Sequence, residues 1–151
     1  MLLRTHLVFS FFIWIFLFDY LASPWIFLLF LIFATAVIDI DSRKSRVGRR
    51  WYFRPLQWFV SHRGIFHTII FGLIVSFVLY FVNAFVGYGF FAGYLSHLFL
   101  DILTPSGVRL FWPLSETRVG FGVRSGGLIE EILFVLLFLV DLLLVVFKVV
   151  L

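Results

Sequence analysis

Cysteine is absent from the chain. That excludes a disulfide, a thiolate nucleophile and a Cys-ligated zinc, and it leaves no redox signature of compartment. Charge is scarce as well. Asp, Glu, Lys and Arg make up 13% of the residues, where a soluble domain carries about a quarter. With 63% hydrophobic residues and a mean hydropathy of +1.13, an ordinary soluble domain is excluded. Internal repeats and low-complexity tracts are also missing. Long apolar runs recur over the whole length, which predicts an integral membrane protein forming one domain over residues 1–151. The 23 Phe and 5 Trp suit lipid contact and interfacial anchoring.

The apolar runs predict an all-α bundle of about five transmembrane helices. They cover roughly Leu2–Phe18, Pro24–Ile40, Gly64–Phe85, Tyr88–Leu103 and Gly127–Phe147. Ser23 is the expected N-cap of the second helix, with Pro24 at its first position. Several segments are short for a hydrocarbon core about 30 Å thick, which calls for local thinning or a polar pocket entering from one side. Arg4, a short apolar core and Leu21-Ala22-Ser23 resemble a signal peptide. Pro24, directly after the candidate cleavage point, argues against cutting there.

Basic residues set the expected orientation. Arg43, Lys44, Arg46, Arg49, Arg50 and Arg54 lie between the second and third helices, with no acid after Asp41. The positive-inside rule makes this loop cytoplasmic, along with the N-terminus and the segment from Thr104 to Gly126. Topology marking and attraction to anionic lipid explain the loop. Nucleic-acid binding is disfavoured, because no aromatic-rich soluble module stands beside it.

Every histidine and most acids fall where an apolar segment begins or ends. His6 opens the first segment, and Asp39 and Asp41 close the second. His62 and His67 open the third, His97 and Asp101 close the fourth, and Glu130 and Glu131 open the fifth. Folded across a membrane, these ends meet on one face, the same face that the positive-inside rule makes cytoplasmic. Without Cys, zinc takes His nitrogen and carboxylate oxygen. His97 and Asp101 are four apart, so they share a helix face. Gly93 lies one turn earlier and admits a close neighbour. Asp39 and Asp41, two apart, suit a fraying helix end where both turn into one pocket. Gly64 permits unusual backbone between His62 and His67.

Each residue alone has a plainer explanation. His6 suits an interface, Asp39 and Asp41 a helix stop, and His97 a backbone hydrogen bond. Asp101 suits an Arg partner, and Glu130 and Glu131 a helix N-terminus. Their joint placement favours a metal centre. Asp101 sits among Leu98, Phe99, Leu100, Ile102 and Leu103. An uncompensated charge at such depth costs at least about 2.5–3.5 kcal/mol, so a metal, Arg63 or Arg109 must compensate it. Asp141, deep in the fifth segment, has no role in this scheme.

The motifs resemble the YdjM-like family of LexA-regulated, membrane-bound, metal-dependent hydrolases. The matching stretches are Thr5-His6, Ile38-Asp39-Ile40-Asp41, His62-Arg63-Gly64-Ile65-Phe66-His67-Thr68 and Gly93-Tyr94-Leu95-Ser96-His97-Leu98-Phe99-Leu100-Asp101. They continue in Leu103-Thr104-Pro105-Ser106-Gly107-Val108 and Leu110-Phe111-Trp112-Pro113. The resemblance covers most of the chain. It extends more distantly to zinc-dependent phospholipase C and related single-strand nucleases. It implies that His6, Asp39, Asp41, His62, His67, His97 and Asp101 form the metal-binding set. One acid of the fifth helix is expected to join them, either Glu130 or Glu131, with Glu130 as the first candidate.

These expectations add up to a phosphoester hydrolase at the cytoplasmic membrane face, holding two or more divalent ions, zinc first. Such ions acidify water from a pKa of about 15.7 toward ~7 and clamp phosphoryl oxygens. Asp41 is the expected proton acceptor. Arg63 is either a phosphate clamp or a salt-bridge partner. Ser96 and Thr104 are expected to be packing hydroxyls. The segment from Gly107 to Pro113 is a lid or an anchoring loop. A site at headgroup depth favours an amphiphilic, lipid-like substrate. The rival readings are a divalent-metal transporter and a structural membrane protein. Oligomeric state leaves no mark in the sequence.

Overall fold

The computed structural model describes residues 1–42, 45, 48–59 and 63–150. Its helices are α1 (Leu3–Leu17), α2 (Pro24–Val37), the short α3 (Arg54–Phe59), α4 (Ile69–Tyr80), α5 (Ala84–Ile102) and α6 (Leu128–Val150). Among the described residues the β-structure is one isolated bridge, Val108 with Val119. The all-helical membrane architecture expected from the apolar runs is therefore the one found. With the 3-10 turns that extend α1 and α2, four segments are long and apolar enough to cross a bilayer, and α4 is shorter.

Two boundaries differ from expectation because a side chain captures backbone. The third segment becomes helical at Ile69, not at Gly64, because the Thr68 hydroxyl accepts Phe71 N–H at 3.2 Å and caps α4 there. The fourth begins at Ala84, not Tyr88, because Asn83 Oδ1 accepts from Phe85 N at 2.8 Å and Val86 N at 3.4 Å. Gly87 therefore lies inside α5. A Cβ there would come within 2.8 Å of Ser76 O and Tyr80 Cα on α4. Ser23 precedes Pro24 as expected, but its side chain makes no capping bond.

The bundle is organised around α5. Gly89 and Gly93 press against α2 so closely that a Cβ would lie 2.4 Å from Phe27 O and 2.1 Å from Leu31 O. This is the close approach that small residues permit between membrane helices. On the other flank, Gly72 of α4 receives the Tyr94 ring. Ala34, Ile38, Phe90, Tyr94 and Leu98 form one core. Trp14, Ile15, Phe27 and Leu31 form a second, joining α1 to α2.

Helix α6 packs along α1 and is pinned at both ends. Arg4 pairs with Glu131 at one end, and Lys148 pairs with Asp19 at the other. Helices α1, α4 and α6 begin, and α2 and α5 end, at the same end of the bundle. That alternation brings the candidate residues together.

Candidate metal centre

His97 is fully buried on α5. Its Nδ1 lies 2.8 Å from the Thr35 carbonyl oxygen, in the last turn of α2. A carbonyl only accepts, so Nδ1 carries the proton and donates. The Nε2 lone pair is left facing the pocket. Fixing the tautomer through the other ring nitrogen is the usual support of a metal-ligating histidine.

Three side chains converge on that nitrogen and its neighbours. Asp101 Oδ2 lies 3.8 Å from His97 Nε2 and 3.7 Å from His67 Nε2. Asp39 Oδ1 lies 3.7 Å from His97 Nε2 and 4.0 Å from His67 Nε2. Donors about 2.0–2.2 Å from one tetrahedral ion stand about 3.4 Å apart. The four His–Asp separations exceed that by a few tenths of an ångström; Asp39, His67 and His97 form a group whose donor atoms all lie within 4.8 Å of one another, and Asp101 Oδ2 approaches both imidazoles beside it.

His6, on α1, stacks on the His97 ring with centroids 4.1 Å apart, and its Nε2 lies 3.7 Å from Asp101 Oδ1. It is buried, and among the described residues neither ring nitrogen has a hydrogen-bond partner. Buried polar atoms without a partner are rare enough to demand an explanation. A cation held by His6 and Asp101 supplies one, so these residues fit a metal ion. Among the described residues, two groupings have donor atoms close enough for an ion, His6–His97–Asp101 and Asp39–His67–His97. Both use His97, which has one lone pair to offer.

Asp39 and Asp41 lie in the 3-10 turn Ile38–Asp41 and both turn inward, as a helix end allows. They approach opposite edges of one imidazole. Asp39 faces His67 Nε2, while Asp41 Oδ2 lies 3.3 Å from His67 Nδ1. Asp41 Oδ2 also accepts the Arg63 backbone N–H at 3.1 Å. Asp41 therefore stands behind His67, away from the facing nitrogens. His67 occupies a 3-10 turn ahead of α4, not the first helical turns.

Arg63 bonds to Asp101 and to the turn after α5. Its Nη2 lies 3.1 Å from Asp101 Oδ1, and its Nη1 donates to Thr104 Oγ1 and Gly107 O, each at 3.1 Å. The guanidinium is a strap on Asp101, the salt bridge that was one of its two expected roles. Unusual backbone sits at Gly64 as expected (φ −89°, ψ −132°), and also at Arg63 (φ 59°). Left-handed backbone costs a non-glycine residue about 1–2 kcal/mol. The backbone bond to Asp41 and the side-chain bond to Asp101 hold it there. The Met1 amino group also lies 3.0 Å from Asp101 Oδ1.

Glu130 does not join this centre. Its Oε1 accepts from Leu2 N at 2.6 Å and Thr5 Oγ1 at 2.8 Å, and its Oε2 accepts from Gly126 N at 2.6 Å. The carboxylate is occupied by free N–H groups at the starts of α1 and α6, as a helix terminus invites. His62 lies outside the described residues.

Sequence reasoning missed Thr35, whose carbonyl orients His97, and the turn after α5 whose Thr104 and Gly107 hold Arg63. The Thr104-Pro105-Ser106-Gly107 motif was the available signal. Ser96 packs as expected. Its hydroxyl lies 3.1 Å from Ser10 Oγ, which lies 2.7 Å from Thr35 Oγ1. This hydroxyl knot ties α1, α2 and α5 together beside His97.

A family model described as "YdjM inner membrane protein" matches residues 1–150. The chain belongs to the YdjM family. Within that family it is 40% identical over 84 residues to the Inner membrane protein YdjM of Escherichia coli (strain K12), covering 50% of this chain and 43% of that protein. The Shigella flexneri protein of the same name matches equally. The Uncharacterized protein YvsG of Bacillus subtilis (strain 168) is 31% identical over 101 residues, 62% of each chain. The chain thus spans less than half the length of the two YdjM proteins. No solved structure matches. Family membership and the apolar helices make this a multi-pass protein of the inner-membrane type.

Proposed function

We propose that this YdjM-family protein is a membrane-embedded, metal-dependent hydrolase acting on a phosphoester, with its centre at the cytoplasmic face. One observation carries the reading. Side chains up to 62 positions apart in sequence bring two imidazole nitrogens and two carboxylate oxygens to within 3.7–4.0 Å of their neighbours. Asp39, His67, His97 and Asp101 would hold a divalent ion, and the nitrogen and oxygen donors favour zinc. His6, with Asp101 Oδ1, would hold a second. Because His97 has a single lone pair, Asp101, with an oxygen toward each group, is the residue suited to link them. A bound divalent ion supplies Lewis acidity toward a phosphoryl oxygen and toward water.

The surrounding residues orient this set. Thr35 O turns His97 Nε2 inward. Asp41 Oδ2, 3.3 Å from His67 Nδ1, stands at the far edge of the ring and leaves Nε2 toward Asp39 and Asp101, which keeps Asp41 close enough to serve as the proton acceptor. Arg63 fixes Asp101 Oδ1 and leaves Oδ2 to the histidines. The hydroxyl knot of Ser10, Thr35 and Ser96 bonds within itself and to helix carbonyls, which supports a closed pocket over a conduit. Polar residues toward the other end of the bundle are spoken for: Asn83 caps α5, and Asp19 pairs with Lys148. Exposed Trp51, Tyr52, Trp58 and Phe111 suit interfacial depth and favour a lipid-like substrate. The basic loop favours the cytoplasmic orientation.

The test uses protein in lipid nanodiscs, stripped by chelator and titrated with zinc. Calorimetric uptake is expected, with hydrolysis of at least one member of a phosphoester panel containing phospholipids and single-stranded DNA. Negligible uptake by both wild type and the His67→Ala/Asp101→Ala variant would sink the metal centre. Zinc flux across liposomes with no hydrolysis would sink the enzyme.

A further inference from the structure

Beside the centre lies a surface that the hydrolase reading uses only for membrane depth and orientation. From Ser42 through Leu100 the sequence contains no Asp or Glu. Within that stretch, the turn Trp51–Phe53 and helix α3 form a small platform. Arg49 and Arg50 are exposed and Arg54 is half-buried. Trp51, Tyr52 and Trp58 are 81%, 53% and 71% exposed. Among the described residues, none of the three guanidinium groups has a hydrogen bond or ion pair.

The platform is nevertheless fixed in place. Six residues are too few to hold a helix unaided. Gln57 Nε2 donates to Ile40 O and Gly48 O, each at 2.6 Å. Ser45 Oγ donates to Asp39 O at 2.6 Å. At Gly48 a Cβ would come within 2.3 Å of Ser42 O. These contacts seat the platform on the end of α2, next to Asp39 and Asp41. Three cations and three aromatic rings are thus held at the end of a membrane bundle, with no acidic group paired to the cations among the described residues. Trp and Tyr rings settle at headgroup level, and a guanidinium matches the paired oxygens of a phosphate.

We propose that this platform is a binding site for the headgroup of an anionic phospholipid, with Arg49, Arg50 and Arg54 on the phosphate and Trp51, Tyr52 and Trp58 at its depth. The charge complementarity selects a bilayer lipid over an acidic protein, because the same surface is aromatic and sits at the membrane boundary.

The experiment measures selection between spin-labelled phosphatidylglycerol and phosphatidylcholine by metal-free protein in mixed bilayers. It needs no turnover, so its outcome is independent of the hydrolase reading. Wild type is expected to prefer phosphatidylglycerol at least about fivefold, the worth of one arginine near a charged surface. The preference should shrink toward unity in 1 M salt (an order-of-magnitude screening limit of about 3 Å). Arg49→Gln/Arg50→Gln/Arg54→Gln should abolish it, and Arg50→Gln alone, at an exposed position, should reduce it about fivefold. Arg118→Gln/Arg124→Gln, two exposed arginines on the later loop, should leave it intact. A wild-type ratio near one, or an equal loss in the Arg118/Arg124 variant, would overturn the site.

Discussion

Helix α5 buries glycines, aromatics, Ser96, His97 and Asp101 along most of its length, whereas α6 buries two of its residues, Glu130 and Asp141. Both helices are long enough to cross a bilayer, yet the more apolar one lies outside. Lipid is as apolar as leucine, so nothing drives leucine inward. What goes inside is what packs closely or needs a polar partner. Helix α5 is central because Gly89 and Gly93 let α2 approach and because His97 and Asp101 find partners there. Helix α6 is held by its ends, through Glu130 and the Lys148–Asp19 pair.

The largest expected effect breaks that contrast at its packing. Gly93→Leu would drive side-chain atoms into the Leu31 carbonyl, 2.1 Å from the first added carbon. Backbone cannot yield there. The variant should lose about 3 kcal/mol or more and fail to give a cooperative unfolding transition in detergent. Leu143→Ala on α6, at a residue 68% exposed, should cost less than about 0.5 kcal/mol. Similar losses in the two variants would mean that α5 is not the organising helix.

A second comparison sharpens the division between the acids and histidines of the two helices. His97→Gln keeps bulk but withdraws the lone pair that both groupings share. Zinc affinity should fall by more than about 100-fold, beyond the loss typical of a supporting residue. Glu130→Gln should leave zinc affinity unchanged. It would put an NH2 group against the N–H donors of Leu2 or Gly126 and cost about 1–3 kcal/mol of stability. Calorimetry and thermal unfolding on the same samples separate the two. Loss of zinc binding in Glu130→Gln would return that carboxylate to the metal set.

Much of this was visible in the chain. The i, i+4 spacing of His97 and Asp101, Gly93 as a contact point and the gathering of segment ends all follow from helical geometry alone. The rest depended on bonds between a side chain and distant backbone. Asn83 outweighs Gly87 as a boundary because its carboxamide caps two N–H groups, while Gly87 is needed for packing. Glu130 has the right residue type and the right membrane depth. Its rotation about α6 points it at Thr5, and a helix apolar all round does not reveal rotation. The strap from Arg63 to Thr104 and Gly107 joins loops 41 and 44 residues apart, and no local pattern announces it.

Arg63 offers the finest cut, because its two contributions have opposite signs for stability. Arg63→Gly removes the guanidinium from Asp101 Oδ1 but relieves a left-handed backbone worth about 1–2 kcal/mol. Unfolding stability should therefore change little. Zinc affinity should fall about 10–100-fold, as for other groups that orient a ligand. Arg63→Lys retains charge and strain, but a single ammonium cannot span Asp101, Thr104 and Gly107 together. It should be less stable than Arg63→Gly and bind zinc at an intermediate level. If both variants bound zinc as wild type does, Asp101 would be held by the end of α5 alone, and the strap would serve the loops instead of the centre.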